Sequence, residues 1–459
     1  MEYGALWESS LLLGDPTFQQ IVNGDSNTCI ELALDYAHAG LWDDAILLLS
    51  SATGKDPLVH YLKGWIYQQM GDHEQAHDAF QDASRQSPDY CFPNRLEDVL
   101  ALETALKLNP NDARAAYYLG NFWYSHRRYE EAIQCWENAR ANDPYFPTVH
   151  RNLALAYYNK RGEKHLALNN LEKAFELNQQ DARVLFELDQ LHKKLNHSPA
   201  QRLALLQNHL TQVNQRDDLY VEMITLHNLL GRPKEAFELI QSHKFHPWEG
   251  GEGKVTSQYV ISLVEMAKLC LGDSNAGQAI EYLQQAQIYP ENLGEGKLYG
   301  AQENNIFYYL GKAYTMLGKP KEAHSAYERA TIGLREPTSA MFYNDQPPDM
   351  IFYQGMTQLA LGHADEAGQI FQKLIAYGQA HLADDVKIDY FAISLPDFQI
   401  FDDDLSLRSR IHCHYMMALG YLGLRDSANA QLQFDQILSL DINHIGATIH
   451  QHLVTAQSQ

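Results

Sequence analysis

Residues 115–144, AAYYLGNFWYSHRRYEEAIQCWENARANDP, decide the fold. Gly120 is followed twelve residues later by Ala132, nineteen later by Ala139, and then by Pro144, with Arg127 at the seventh position. That spacing describes two antiparallel helices of three to four turns joined by a short turn, a place where a positive φ favours Gly. The small residues let the helices approach closely, and bulky neighbours such as Trp123 and Trp136 fill the space between them. Pro144 ends the second helix and opens the next unit.

The same spacing recurs along the chain. Ala33/Gly40/Ala45/Ala52, Gly64/Gly71/Ala76/Ala83 and Gly311/Gly318/Ala323/Ala330 repeat it in full. Looser copies are Ala154/Ala167/Ala174 (one residue longer), Ile224/Gly231/Ala236, Ala267/Ala279/Ala286, Gly355/Gly362/Ala367 and Ala418/Ala430. Nine occurrences make an array, and the pattern resembles the tetratricopeptide repeat. A single helix pair cannot bury its apolar face alone, so stacked pairs share one core. The expected fold is all-α: a right-handed tetratricopeptide superhelix, an α-solenoid with irregular insertions. Its expected division is a connector at 1–25, an N-terminal array at 26–181, an irregular helical segment with a Gly-rich loop at 182–253, and a C-terminal array at 254–459. Residues 91–112 hold room for one helix only, and 383–405 break helical periodicity as an extended insertion.

Composition narrows the function. The 459 residues are 45% hydrophobic and 20% charged, enough to bury a large core. Lys and Arg total 35 against 58 Asp and Glu, a net charge of −23, which argues against nucleic acid or an anionic membrane as partner. No apolar run approaches the roughly 18 residues of a membrane span. The start, MEYGALWESSLLLGDP, is acidic where an export signal would be basic. Five scattered cysteines form neither a disulfide framework nor a metal motif, which fits the cytoplasm.

Several irregular stretches, CFPNRLEDVLALE, YYLGNFWY, RNLALAYYNK, FHPWEGGEGKV and YFAISLPDF, resemble in their order the helical C-terminal half of large bacterial proteins. Those proteins carry an N-terminal β-sandwich similar to galactose mutarotase, the domain of unknown function 5107 type. The resemblance implies a carbohydrate context and a β-sandwich partner that is absent from this sequence.

The first helix of each pair is expected to line a groove. In register these are Tyr61 and Trp65; Tyr117, Tyr118, Asn121 and Tyr124; and Arg151, Asn152, Tyr158 and Asn159, with Tyr308, Tyr309, Lys312, Phe352 and Tyr353 further on. Aromatic faces beside amide and guanidinium groups suit extended polypeptide or sugar, and the tyrosines suit inter-helix packing equally well. Asn121, Asn152 and Arg183 fall where a peptide-carboxylate clamp needs them, but Tyr117 and Glu187 stand where it needs bases. In the loop HPWEGGEGKV, His246, Trp248, Glu249 and Glu252 suggest contact with a partner domain, against a structural reading in which Trp248 plugs a junction and the carboxylates cap helices. The consecutive His412, Cys413 and His414 point apart and cannot share an ion; Asp402–Asp404 read as a helix start at Leu405. No catalytic motif, metal site or cofactor is expected. The chain reads as a non-catalytic interaction scaffold docking a protein or domain, with carbohydrate and a homodimer through a terminal repeat also admitted. The other reading is an accessory half of a carbohydrate-active enzyme, lending loop residues to a β-sandwich site.

Overall fold

The computed structural model describes residues 3–248, 250–339, 346–386 and 400–457. The chain divides into two compact units, Met1–Asn178 and Gln179–Gln459. Among the described residues there is no strand.

Unit 1 opens with α1 (Tyr3–Leu12) and α2 (Thr17–Val22), so the stretch read as a connector is helical. Two pairs follow, α3 (Ser26–His38) with α4 (Trp42–Ser50) and α5 (Pro57–Met70) with α6 (His73–Arg85). A lone helix, α7 (Leu96–Leu108), packs on α5 and on α8 (Ala113–Ser125), whose own partner is α9 (Tyr129–Asn142). The last pair is α10 (Pro147–Ala156) with α11 (Lys164–Leu177).

Unit 2 begins with unpaired helices α12 (Ala182–Lys194), α13 (Pro199–Gln207) and α14 (Leu210–Val213). The pairs are α15 (Asp217–Leu229) with α16 (Pro233–Ser242), α17 (Lys254–Gly272) with α18 (Ala276–Gln285), and α19 (Asn304–Met316) with α20 (Pro320–Ala330). Two longer ones follow, α21 (Pro348–Ala360) with α22 (Ala364–His381) and α23 (Leu405–Gly423) with α24 (Ser427–Leu440), before a final α25 (Ile445–Gln457). The nine spacings thus correspond to nine packed pairs. Most of the 383–405 insertion, residues 387–399, lies outside the described residues.

The pairs form for local reasons. Asp side chains cap helix starts, as Asp112 does by accepting from the Arg114 and Ala115 N–H groups at 3.0 Å. Each pair turns on one left-handed residue: a Gly in six cases, but Arg127 (φ 61°), Ser274 (φ 59°) and Arg425 (φ 62°) in the others. The turn closes with a hydrogen bond back across five residues, Asp72 N–H to the Tyr67 carbonyl and Arg128 N–H to that of Trp123, both 2.9 Å. Inside the pair a helix glycine receives a ring. A Cβ on Gly64, Gly120, Gly311 or Gly355 would sit 2.3–2.6 Å from Phe80, Trp136, Tyr327 or Phe371, respectively.

The longer copy at Ala154/Ala167 has its own solution. Helix α10 runs on into a π turn over Tyr157–Arg161, and its closing bond, Glu163 N–H to the Tyr157 carbonyl, spans six residues rather than five. One extra residue in the repeat becomes one wider turn of helix.

Candidate functional site

The sequence-predicted groove residues separate into two groups. Tyr61, Tyr117 and Tyr118 are buried. Tyr61 hydroxyl donates to Asp112 at 3.1–3.2 Å, tying α5 to the N-cap of α8. Burial pushes the Asp112 carboxyl up, and the hydrogen bonds it accepts pull it part of the way back. The Tyr118 ring meets Tyr61 edge-on at 6.0 Å, while Tyr117 packs on Phe146 at 4.8 Å. The Tyr117 and Tyr118 rings stand 5.3 Å apart, and both are covered by neighbouring aromatic residues. These three tyrosines belong to the core and present nothing to a ligand.

Trp65, Asn121, Tyr124, Arg151, Asn152, Tyr158 and Asn159 are half-buried. Trp65 stands edge-on to Trp42 at 6.3 Å. The others gather on α8, α10 and the π turn. Asn121 Oδ1 accepts from Trp136 Nε1 at 3.1 Å and from Asn152 Nδ2 at 3.2 Å, and Arg151 donates to Asn152 Oδ1 at 3.3 Å. The two amides therefore staple neighbouring first helices together while remaining partly at the surface. Tyr124 lies 5.2 Å from the Trp136 ring and 5.1 Å from Tyr129, over which Lys160 is placed at 4.9 Å. Arg114 covers the Phe146 ring at 3.7 Å. Amides, rings and cations thus recur along α8, α10 and the π turn of an otherwise acidic chain. The widened turn sets the directions of Tyr158 and Asn159, which a regular helix would place elsewhere; no spacing rule for the groove allows for it.

In unit 2 the expected lining residues Tyr308, Tyr309, Phe352 and Tyr353 are all buried, with the Tyr309 and Tyr353 hydroxyls 3.4 Å apart, and Lys312 alone is exposed. Arg183 binds the buried Glu187 at 3.0 Å.

The Gly-rich loop is tied down by residues outside it. Asp217, at the start of α15, accepts from His243 at 2.7 Å and from the His246 N–H at 2.7 Å; burial alone would raise its carboxyl, and these bonds hold it below the usual range. Phe245 N–H donates to the Asn292 carbonyl at 2.8 Å. The start of α17 is capped by Glu295, which accepts from the Gly253 N–H at 2.9 Å, so the loop's own Glu252 is left exposed. Trp248 is half-buried with its ring against Gly251, where a Cβ would lie 2.1 Å away. His246 is exposed, and Glu249 lies outside the described residues. Asp217, Asn292 and Glu295, distant in sequence, carried no signal that could have been read in advance.

Burial raises all five thiols, so none is an activated nucleophile. Asp404 caps α23 through the Leu407 N–H at 2.9 Å, and His412 and His414 bind different partners, the Thr338 carbonyl and Gln433. Among the described residues no group of three or more His, Cys, Asp or Glu could hold a metal, and no helix is long and apolar enough to cross a membrane.

Comparison with known proteins agrees with the geometry. Models of the tetratricopeptide repeat match residues 58–90, 99–145 and 349–377. Among solved structures, YrrB, described as a TPR protein with an unusual peptide-binding site, is 16% identical; the match covers 50% of this chain and 90% of YrrB, with a TM-score of 0.28. A tetratricopeptide repeat protein from Parabacteroides merdae is 14% identical over 66% of this chain and all of its own, with a TM-score of 0.28. The Naa15/Naa10 complex bound to HypK-THB is 12% identical over 79% of this chain and 58% of that one, with a TM-score of 0.36. The chain is an all-α solenoid built of tetratricopeptide repeats.

Proposed function

We propose that this protein is a non-catalytic interaction scaffold whose unit 1 receives a polypeptide segment of a partner along α8, α10 and the π turn. The carrying observation is the Asn121–Asn152 staple flanked by Arg151, Tyr124 and Tyr158. Side-chain amides match the donors and acceptors of an extended backbone, and rings and a guanidinium accept side chains between them. The π turn that ends α10 carries Tyr158 and Asn159, both half-buried, beside this staple's second helix. The test is selection from a displayed peptide library on the full chain, repeated with Arg151→Ala/Tyr158→Ala. Peptides that bind both chains equally would refute the reading; loss of at least tenfold in affinity with unchanged helicity supports it.

The five ordered motifs favour one particular partner, a bacterial mutarotase-like β-sandwich in the cytoplasm. Under that reading the Gly-rich loop would lend Trp248 and Glu252 to a carbohydrate site. Co-purification of the separately expressed β-sandwich with this chain, and its loss in Trp248→Ala, is the measurement that bears on it.

A further inference from the structure

The end of unit 2 folds back on its beginning. Residues 439–443 lie against the corner between α12 and α13: Asn196 donates to the Ser439 carbonyl at 3.3 Å and accepts from the Ile442 N–H at 2.6 Å. Asn443 donates to the His197 carbonyl at 3.4 Å and accepts from Arg202 at 2.9 Å. Arg202 is fully buried, and its remaining donors bind Asp189 at 2.6 and 3.0 Å and Glu222 at 2.8 Å. Burial works against both carboxylates; beside Lys193 and Arg202, Glu222 is nonetheless held down to about 2. Lys194 also pairs with Asp403, just before α23.

From this corner α25 runs across the first helices of earlier pairs. A helix that only capped the last pair would touch α23 and α24. This one also packs on α15, and its His450 ring stands 5.7 Å from the rings of Phe352 and Tyr353 on α21. It thus occupies the face on which those aromatic residues were expected to meet a ligand. The fit is incomplete. His450 is 3% exposed; its Nδ1 bonds the Gly446 carbonyl at 2.8 Å and the Tyr415 hydroxyl at 3.1 Å, but its Nε2 has no hydrogen-bond partner. A buried acceptor left unmet costs the occupant the desolvation of that atom. The attachment at Asn196 and Arg202 is made by hydrogen bonds, which another chain bearing the same groups can supply.

We infer that α25 is a displaceable intramolecular occupant, an autoinhibitory helix that holds the inner face of unit 2 shut until a partner helix replaces it. This goes beyond the proposed role of unit 1 and does not depend on it. The partner is of like chemistry: an amphipathic helix preceded by an Asn-bearing turn that engages Asn196 and Arg202.

A fluorescent peptide of residues 441–459 is the probe, added to full-length chains and read by anisotropy. On the unmodified chain it should not bind, because the tethered copy competes at an effective concentration of about millimolar. Asn443→Ala in the chain weakens only the tethered copy, so the peptide, which keeps its Asn443, should bind at least tenfold better. Adding Asn196→Ala to that chain should abolish the gain, because the peptide needs Asn196 as well. Hydrogen exchange gives the second measurement: α25 amides should exchange before those of α21 and α23. Absence of binding to a folded Asn443→Ala chain overturns the inference. So does collapse of that chain's helicity, or exchange of α25 only together with α21, since each makes α25 a permanent part of the core.

Discussion

Gly120→Ala tests the packing rule on which the helix pairs rest. By helix propensity alone the substitution should stabilise α8 by about 1 kcal/mol. The structure predicts the opposite sign. The new Cβ would lie 2.5 Å from Cδ1 and Nε1 of Trp136 and 3.1 Å from the Ala132 carbonyl oxygen. Trp136 is 3% exposed and has nowhere to retreat, so overpacking costs about 1–3 kcal/mol. Moving the ring by the missing ångström also stretches its bonds to the Tyr117 carbonyl and Asn121, now 3.2 and 3.1 Å, at roughly 1 kcal/mol each. The net expectation is a loss of about 2–4 kcal/mol. In a Trp136→Ala background the nearer obstacle is gone and only the Ala132 carbonyl oxygen at 3.1 Å remains, so the same Gly120→Ala should then stabilise by up to about 1 kcal/mol. Five of the six tryptophans, Trp7, Trp42, Trp65, Trp123 and Trp136, lie in unit 1, so urea denaturation followed by fluorescence reads this unit. A cost of the same size in both backgrounds, or none in either, would refute the reasoning.

Other expectations follow from single positions. Arg127→Gly, which relieves a left-handed residue at φ 61°, should raise stability by about 0.5–1 kcal/mol, whereas Gly71→Ala at the equivalent turn should lower it by about 1; thermal melts of both variants check the pair. Trp248→Ala should cost about 1–2 kcal/mol through its packing on Gly251, and Glu252→Gln, exposed, less than about 0.5; equal costs would show the loop is held differently. Burial first, then Lys268 and with it His444, lowers His450 to about 3. The folded state therefore resists a proton that the unfolded chain accepts near 6.5, and stability is lost as pH falls below that value. Between pH 7 and 5 the native chain should lose about 2 kcal/mol relative to His450→Gln, a difference measurable by urea titration at the two pH values.

The fold was legible because its signals are local. The distance from Gly64 to Ala76, or from Gly120 to Ala132, fixes two helices and the turn between them, and the aromatic residue sixteen positions after the glycine completes the pair. Even the irregular repeat announced itself, as one residue too many between Ala154 and Ala167. The candidate site was only partly legible. Periodicity put Asn121, Arg151 and Asn152 on neighbouring first helices, where the structure links them by hydrogen bonds, but it could not separate Tyr117 and Tyr118 from them, nor foresee the π turn that carries Tyr158 and Asn159. Whether a tyrosine faces a groove or the core depends on what covers it, here Phe146 and Tyr61 from neighbouring repeats. The corner at Arg202 was illegible for the same reason on a larger scale, because Asn443 is 241 residues away.

That separation has a consequence for biosynthesis. At about 5–20 residues per second, Asn443 leaves the ribosome roughly 10–50 s after Arg202. Throughout that interval the guanidinium must be kept from drawing in the wrong acceptor. Asp189 and Glu222, 13 and 20 residues from it in sequence, serve as early company, since both emerge within a few seconds of Arg202. The nascent chain can thus store a neutralised arginine at the α12–α13 corner, with one donor still turned outward, until Asn443 arrives to accept it.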